Sequence, residues 1–285
     1  MRLKPGSSRF AAFLVLVSTF FLLFSPESYA AKSWKGRKPG VFLTAQSCVI
    51  IDMQDGTILY GKLPHMKLPP ASTTKVMTVL LARERLAMNR RIAVSRNAAN
   101  VSPSKAGLTA GAQYSAEDLI KACLVSSSND AAVALAEAMA GSEKEFAKLM
   151  NLKARELHMN NTFFVNATGL TIKGRKQYAT AYDLAQLMRI AVKDKHIDDM
   201  MGLTEVSIKG SDGKIIPLRA HNKMLWKMPK FVKGKTGWTS ASRHTFVGTD
   251  YPPNKSIAFA MLSSQKPWTD IERLASFGLA LERKR

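Results

Sequence analysis

The sequence predicts an α/β fold in which an antiparallel sheet, flanked by helices, is interrupted by a helical insertion. Three observations carry this. Short apolar segments rich in β-branched residues lie towards both ends of the chain, segments with apolar residues at helical spacing fill the middle, and 285 residues with 46% hydrophobic content can bury one large core.

Taken in order, "AQSCVIIDMQDGTILYGK" reads as two strands around a turn at Gln54, Asp55 and Gly56. Pro69 and Pro70 end extended chain, and a helix is expected from about Ser72 to Leu86. "SAEDLIKACLV" opens with Ser115 three residues before Asp118, a capping-box-like start. "NDAAVALAEAMAG" is an Ala-rich helix stopped by Gly141, and Ser142 with Glu145 opens the next. A loop rich in Asn, Thr and Gly runs to Tyr178, and Thr180 caps the helix in "TAYDLAQLMRIAV". From Val206 the texture changes to "VSIKG", "FVKGKTGW", "HTFVGTD" and "SIAFAML", expected to pair as one antiparallel sheet, followed by a helix from about Trp268 to Leu281.

The N-terminus reads as a secretory signal. Arg2, Lys4 and Arg9 precede an apolar run from Phe10 to Phe24, and small Ser28 and Ala30 stand where a signal peptidase reads. The run is shorter than the ~20 residues that span a bilayer as a helix, so an uncleaved anchor is the lesser reading. The expected organisation is a signal peptide at 1–30, a linker at 31–44 and one catalytic domain at 45–285, exported to the periplasm or secreted after cleavage near Ala30. The formal charge is +21. Such a surface attracts polyanions, and outside the cell anionic envelope polymers are more plausible partners than nucleic acid, for which no motif is found. Cys48 and Cys123 fall in apolar segments and read as buried free thiols, with a single disulfide as the alternative. His65, His158, His196, His221 and His244 are too scattered to form a metal-binding spacing, and no cofactor motif is present.

Four S-x-x-K matches occur, at Ser72 and Lys75, Ser102 and Lys105, Ser211 and Lys214, and Ser263 and Lys266. Only the first opens a predicted helix, where residues three apart share a face and the free N–H groups of the helix start favour a developing alkoxide. Serine is a poor nucleophile until a base takes its proton. Lysine can act so only when neutral, through desolvation or a neighbouring cation. The second cation is found in the chain's one K-T-G, Lys235, Thr236 and Gly237, on a predicted strand. Charge repulsion between the two lysines, together with desolvation, is expected to leave Lys75 largely neutral near pH 7. Lys235 and Thr236 offer a charge and a hydroxyl to a carboxylate, and Gly237 lets substrate backbone approach the strand edge. A third piece, Ser127, Ser128 and Asn129, lies in the break between two helices, where Asn129 or Asp130 can also serve as a cap.

S-x-x-K at a helix start, S-x-N between helices and K-T-G on a late strand form, in that order, the set found in β-lactamases and penicillin-binding proteins. The chain resembles the D-alanyl-D-alanine carboxypeptidases (S11 peptidases) among the low-molecular-mass penicillin-binding proteins. The resemblance runs from about Ala45 to Leu281 and includes "NATGL", "TAYDLAQLM" and "HNKMLW". It implies the β-lactamase/DD-peptidase-like transpeptidase fold, Ser72 as acylated nucleophile and Lys75 as its base. It further implies that Ser127 relays a proton to the leaving amine and that Asn129 positions Lys75 and the substrate amide. Lys235 and Thr236 would hold the terminal carboxylate, with the N–H groups of Ser72 and Trp238 as oxyanion hole. The implied substrate is the D-Ala-D-Ala end of a peptidoglycan stem peptide, with β-lactams as covalent inhibitors. Two departures stand out. Many relatives carry a β-rich C-terminal domain ending in an amphipathic membrane anchor, whereas here the chain stops at "LALERKR", where the last predicted helix ends, so neither is expected. Where some relatives place a carboxylate-binding arginine this chain has "SSQKPW", making Gln265 or Lys266 the candidate replacements.

The nearest rival activity is that of a DD-endopeptidase cutting crosslinks with the same machinery. A β-lactamase is disfavoured because the loop after Asn160 offers no carboxylate to drive deacylation. A rival of another class is a non-catalytic basic wall-binding module, which covalent labelling by a penicillin would exclude.

Overall fold

The computed structural model describes residues 40–229, 231–251 and 256–283. The signal peptide read at 1–30 lies outside these residues, as does most of the linker. From Val41 onward the chain forms one compact unit.

Strands β1 (Ser47–Asp52) and β2 (Ile58–Lys62) form the expected hairpin. A 3-10 turn at Ala71–Thr74 leads into α1 (Lys75–Arg85). Then come β3 (Arg91–Ala93), α2 (Arg96–Asn100), β4 (Gln113–Ser115), α3 (Ala116–Leu124), α4 (Asn129–Ala140), α5 (Glu143–Glu156), α6 (Ala181–Ala191) and α7 (Lys195–Met200). The last third holds β5 (Glu205–Lys209), β6 (Ile215–Arg219), α8 (Met224–Lys227), β7 (Val232–Thr239), β8 (Arg243–Asp250), β9 (Ile257–Ser264) and α9 (Pro267–Glu282).

The main sheet is antiparallel, in the order β2-β1-β9-β8-β7, and so joins both ends of the chain. Because side chains alternate across a strand, β1 sends Val49 and Ile51 into the core beneath the helical layer, and Cys48 and Ile50 into a smaller core under α9. Both faces are covered, which is why β1 and β9 are buried along their whole length. The two cysteines belong to different cores, Cys123 to that of the helical layer, and both are free thiols. This removes the disulfide alternative.

Caps fall where side-chain chemistry predicts. Ser115, Ser142 and Thr180 accept the N–H groups of Asp118, Glu145 and Asp183, and Gly141 ends α4 in the left-handed conformation. Two expectations are corrected. The α-helix begins at Lys75, and Ser72 lies one turn earlier in tighter 3-10 backbone with no side-chain cap. The "VSIKG" segment does not join the main sheet; as β5 it pairs with β6 in a separate two-stranded ribbon, Ile208 facing Ile216.

Candidate active site

The turn that carries Ser72 is held in place before any chemistry is considered. Thr73 and Thr245 both donate their hydroxyls to the Pro70 carbonyl, at 2.7 and 2.9 Å, tying the turn to β8. Ala71 takes a positive φ of 49°. Two glycines let neighbouring backbone close on it: a Cβ at Gly169 would run into the Ala71 carbonyl, and one at Gly237 would lie 2.7 Å from the Ser72 nitrogen. The K-T-G glycine therefore has a use the sequence did not reveal. It lets β7 press against the turn, where the sequence suggested access for substrate.

Ser72 and Lys75 meet as the helical spacing implies, with Nζ 3.0 Å from Oγ. Lys75 is completely buried, and its other partners are Asn129 Oδ1 at 2.6 Å and the Thr168 carbonyl at 2.9 Å. A neutral amine has two N–H bonds and one lone pair. With two fixed acceptors taking the hydrogens, the lone pair is left for the Ser72 hydroxyl. Asn129 is locked in turn, since its amide donates to the Pro103 carbonyl and its backbone N–H to that of Ser104. Its side chain is thus not a helix cap. Asp130 does take the N–H of Ala131, but also those of Ala106, Gly107 and Leu108.

Ser127, between α3 and α4, is held at φ 58°, a strained setting for a residue with a side chain, and receives a 2.8 Å hydrogen bond from Lys235 Nζ. Lys235 also donates to the Thr236 carbonyl at 2.7 Å. Lys233, Lys235 and Gly237 share one face of β7, so the strand that presses on the Ser72 turn also delivers Lys235. Ser72, Ser127, Asn129, Thr236, Gly237 and Trp238 line a cleft of about 540 Å³, with Trp238 exposed at its rim.

Burial lowers the Lys75 pKa to about 8, against the opposing pull of Cys123, Glu143 and Asp130. The expectation that Lys75 is largely neutral near pH 7, by repulsion from Lys235 and by desolvation, holds as to desolvation and is corrected as to the protonation state. At about 8 the ammonium predominates at pH 7 with about a tenth neutral, and desolvation is the cause. Lys235 lies well below the ordinary lysine value through burial and then the charge of Lys75. His221 also lines the cleft and is lowered to about 4 by burial and by the charges of Lys235 and Lys75.

The remaining S-x-x-K matches assemble nothing comparable. Lys105 and Lys214 donate to the carbonyls of Ala99 and Gly107. Gln265 and Lys266 do not line the cleft; their backbone N–H groups bind Thr44 Oγ1. A cation lining the cleft comes instead from the "HNKMLW" stretch, where Lys223 lies 5.8 Å over the Trp268 ring. Residue-type patterns missed His221 and the Thr168 carbonyl, although "HNKMLW" and "NATGL" had marked both segments. Among the described residues, no cluster of His, Cys, Asp and Glu is arranged to hold a metal.

An S-x-x-K pair at the start of a helix, S-x-N between helices and K-T-G on an edge strand are thus brought together around one cleft. Residues 35–265 match the model of the D-alanyl-D-alanine carboxypeptidase family, Peptidase S11, and the chain belongs to that family. It is similar to the D-alanyl-D-alanine carboxypeptidase DacF of Bacillus subtilis, 32% identical over 89% of this chain and 66% of that relative, just under two thirds of its length. It is also similar to a D-alanyl-D-alanine endopeptidase of Escherichia coli, 28% identical over 89% of this chain and 83% of the relative. Among solved structures, penicillin-binding protein D2 of Listeria monocytogenes in its ampicillin-bound form superposes with a TM-score of 0.75 at 27% identity, covering 85% of this chain and 100% of the other.

Proposed function

We propose that this chain is a serine DD-carboxypeptidase that removes the terminal D-Ala from peptidoglycan stem pentapeptides. The observation that carries the reading is the Lys75 amine, fixed by Asn129 and Thr168 with its remaining position directed at Ser72 Oγ.

Neutral Lys75 takes the Ser72 proton as Oγ attacks the carbonyl carbon of the penultimate D-Ala. The carbonyl oxygen becomes an oxyanion that the N–H groups of Ser72 and Trp238 stabilise. Collapse breaks the C–N bond, and the proton that Lys75 took reaches the departing amine through the Ser127 hydroxyl, which Lys235 holds, leaving Lys75 neutral again. Free D-Ala leaves; water attacks the ester, Lys75 takes its proton, and that proton passes to Ser72 Oγ as the ester C–O bond breaks. Strand β7 is at the sheet edge, so a substrate backbone can align along it, with the terminal carboxylate at Lys235 and Thr236. A carboxylate arriving beside the buried Lys235 favours its ammonium form.

The same machinery would cut a crosslink if the cleft admitted the second stem peptide, and the endopeptidase among the relatives keeps that reading second. Digestion of purified peptidoglycan decides between them. Free D-Ala without loss of crosslinks is expected. Separated crosslinks without free D-Ala would make the chain an endopeptidase. β-Lactams are proposed to acylate Ser72, and cell fractionation is expected to find the chain exported and shortened by about 30 residues.

A further inference from the structure

Glu143 is the first residue of α5, yet its side chain turns away from its own helix. Oε1 accepts the Ala167 N–H at 3.1 Å. The Ala167 carbonyl accepts the Thr78 hydroxyl of α1 at 2.7 Å, and the next carbonyl, that of Thr168, holds Lys75. The segment is thus gripped from α5 on its N–H side and from α1 on its carbonyl side. Beyond the grip it closes on itself, Asn166 Oδ1 accepting the Gly169 N–H at 2.8 Å and the Asn166 amide donating to the Leu170 carbonyl. Glu143 therefore stands one residue from the carbonyl that orients the base, and no step of the reaction uses its carboxylate.

We propose that Glu143 is a positioning residue for Lys75: it fixes the Thr168 carbonyl and places a negative charge behind the amine, setting the pH at which Lys75 becomes a base. This rests on the assignment of Lys75 as that base. The charged and titratable groups around Lys75 are Cys123 on α3, Asp130 on α4, Glu143 on α5, Lys235 on β7 and His221 before α8. Asp130 is committed to four backbone N–H groups, and Cys123 is held as a thiol by burial, its pKa pushed up to about 12. Glu143 itself faces Glu137 and Lys75, and burial raises its pKa. A carboxylate here favours the Lys75 ammonium, so it holds the base in reserve at low pH while keeping it oriented.

Glu143→Gln retains an oxygen for the Ala167 N–H and removes the charge. The second-order rate of Ser72 acylation by a fluorescent penicillin would be followed from about pH 6 to about pH 10, across the titration of the base. The acid limb is expected to move to lower pH, so the variant acylates at least about twofold faster near pH 6, with its high-pH plateau within about twofold of wild type. Glu143→Ala, which also releases the loop, should lower the plateau, and Lys144→Gln on the exposed side of α5 should change neither. A Glu143→Gln profile that superposes on wild type, moves to higher pH, or falls in plateau without a shift of the limb overturns the proposal. A flat wild-type profile would instead remove Lys75 as the base, a different failure visible without any variant.

Discussion

Protonation of Lys75 is the pH control of the proposed reaction. Its pKa of about 8 is a base pKa lowered by burial, so the reactive amine is scarce below that pH and saturates above it. Acylation by a β-lactam should therefore rise about tenfold per pH unit on the acid side and level off above about pH 8. Stopped-flow or quenched labelling across that range checks it, and a midpoint near 6 would point to a different base. Lys75→Arg keeps a cation but no lone pair, and acylation should fall at least ~100-fold. A near-normal rate in that variant would remove Lys75 from the role. The adduct should be found by mass spectrometry on the peptide containing Ser72, and an adduct at Ser102, Ser211 or Ser263 would contradict the mechanism. At this scale the sequence was informative wherever the chemistry resides in a side-chain type, as for Ser72, Lys75, Asn129 and Lys235. It was silent where a backbone atom does the work: nothing in a residue name announces that the Thr168 carbonyl will orient Lys75.

Elements place these residues, and β7 is the one on which most depends. Lys233, one residue pair before Lys235, makes a 2.7 Å ion pair with Asp198 of α7, and both side chains are nearly buried. Lys233→Ala removes this nearly buried ion pair and should cost roughly 3–5 kcal/mol in urea unfolding. A loss below about 1 kcal/mol would show that the pair behaves like a surface bridge. Gly237→Ala is expected to do the opposite, sparing much of the fold while disabling the site. The new methyl would meet the Ser72 nitrogen at 2.7 Å, and the turn must shift away from the oxyanion position. Penicillin labelling should collapse while the far-UV circular dichroism spectrum is retained; normal labelling would mean that the turn can yield without losing its geometry. The main strands and the capped helices were legible because period-two and period-3.6 patterns survive wherever one face is buried. Segment β5 was misassigned because alternation shows that a strand has two unlike faces, without saying which strand it pairs with. The 3-10 turn was missed because Ser72 carries the same residue signal whether the first turn is tight or α-helical.

At the scale of the whole molecule, the formal charge of +21 is spread over the entire sequence, and no helix among the described residues is long and apolar enough to cross a membrane. Association with anionic envelope surfaces is therefore expected to be electrostatic. It should be released near 1 M salt, where the Debye length falls to about 3 Å. Retention that resists salt and yields to detergent would require an apolar anchor instead. The sheet order adds a consequence of its own. Strand β9 lies at the centre of the sheet with β1 on one side and β8 on the other, and Val49 is paired with Ala260. The last strand among the described residues is thus the one that joins the first hairpin to the K-T-G hairpin. A ribosome that stopped after Asp250 would have made every residue of the reactive group without the strand that joins the two hairpins of the sheet. The sheet is completed in this chain by a segment that contains none of the chemistry.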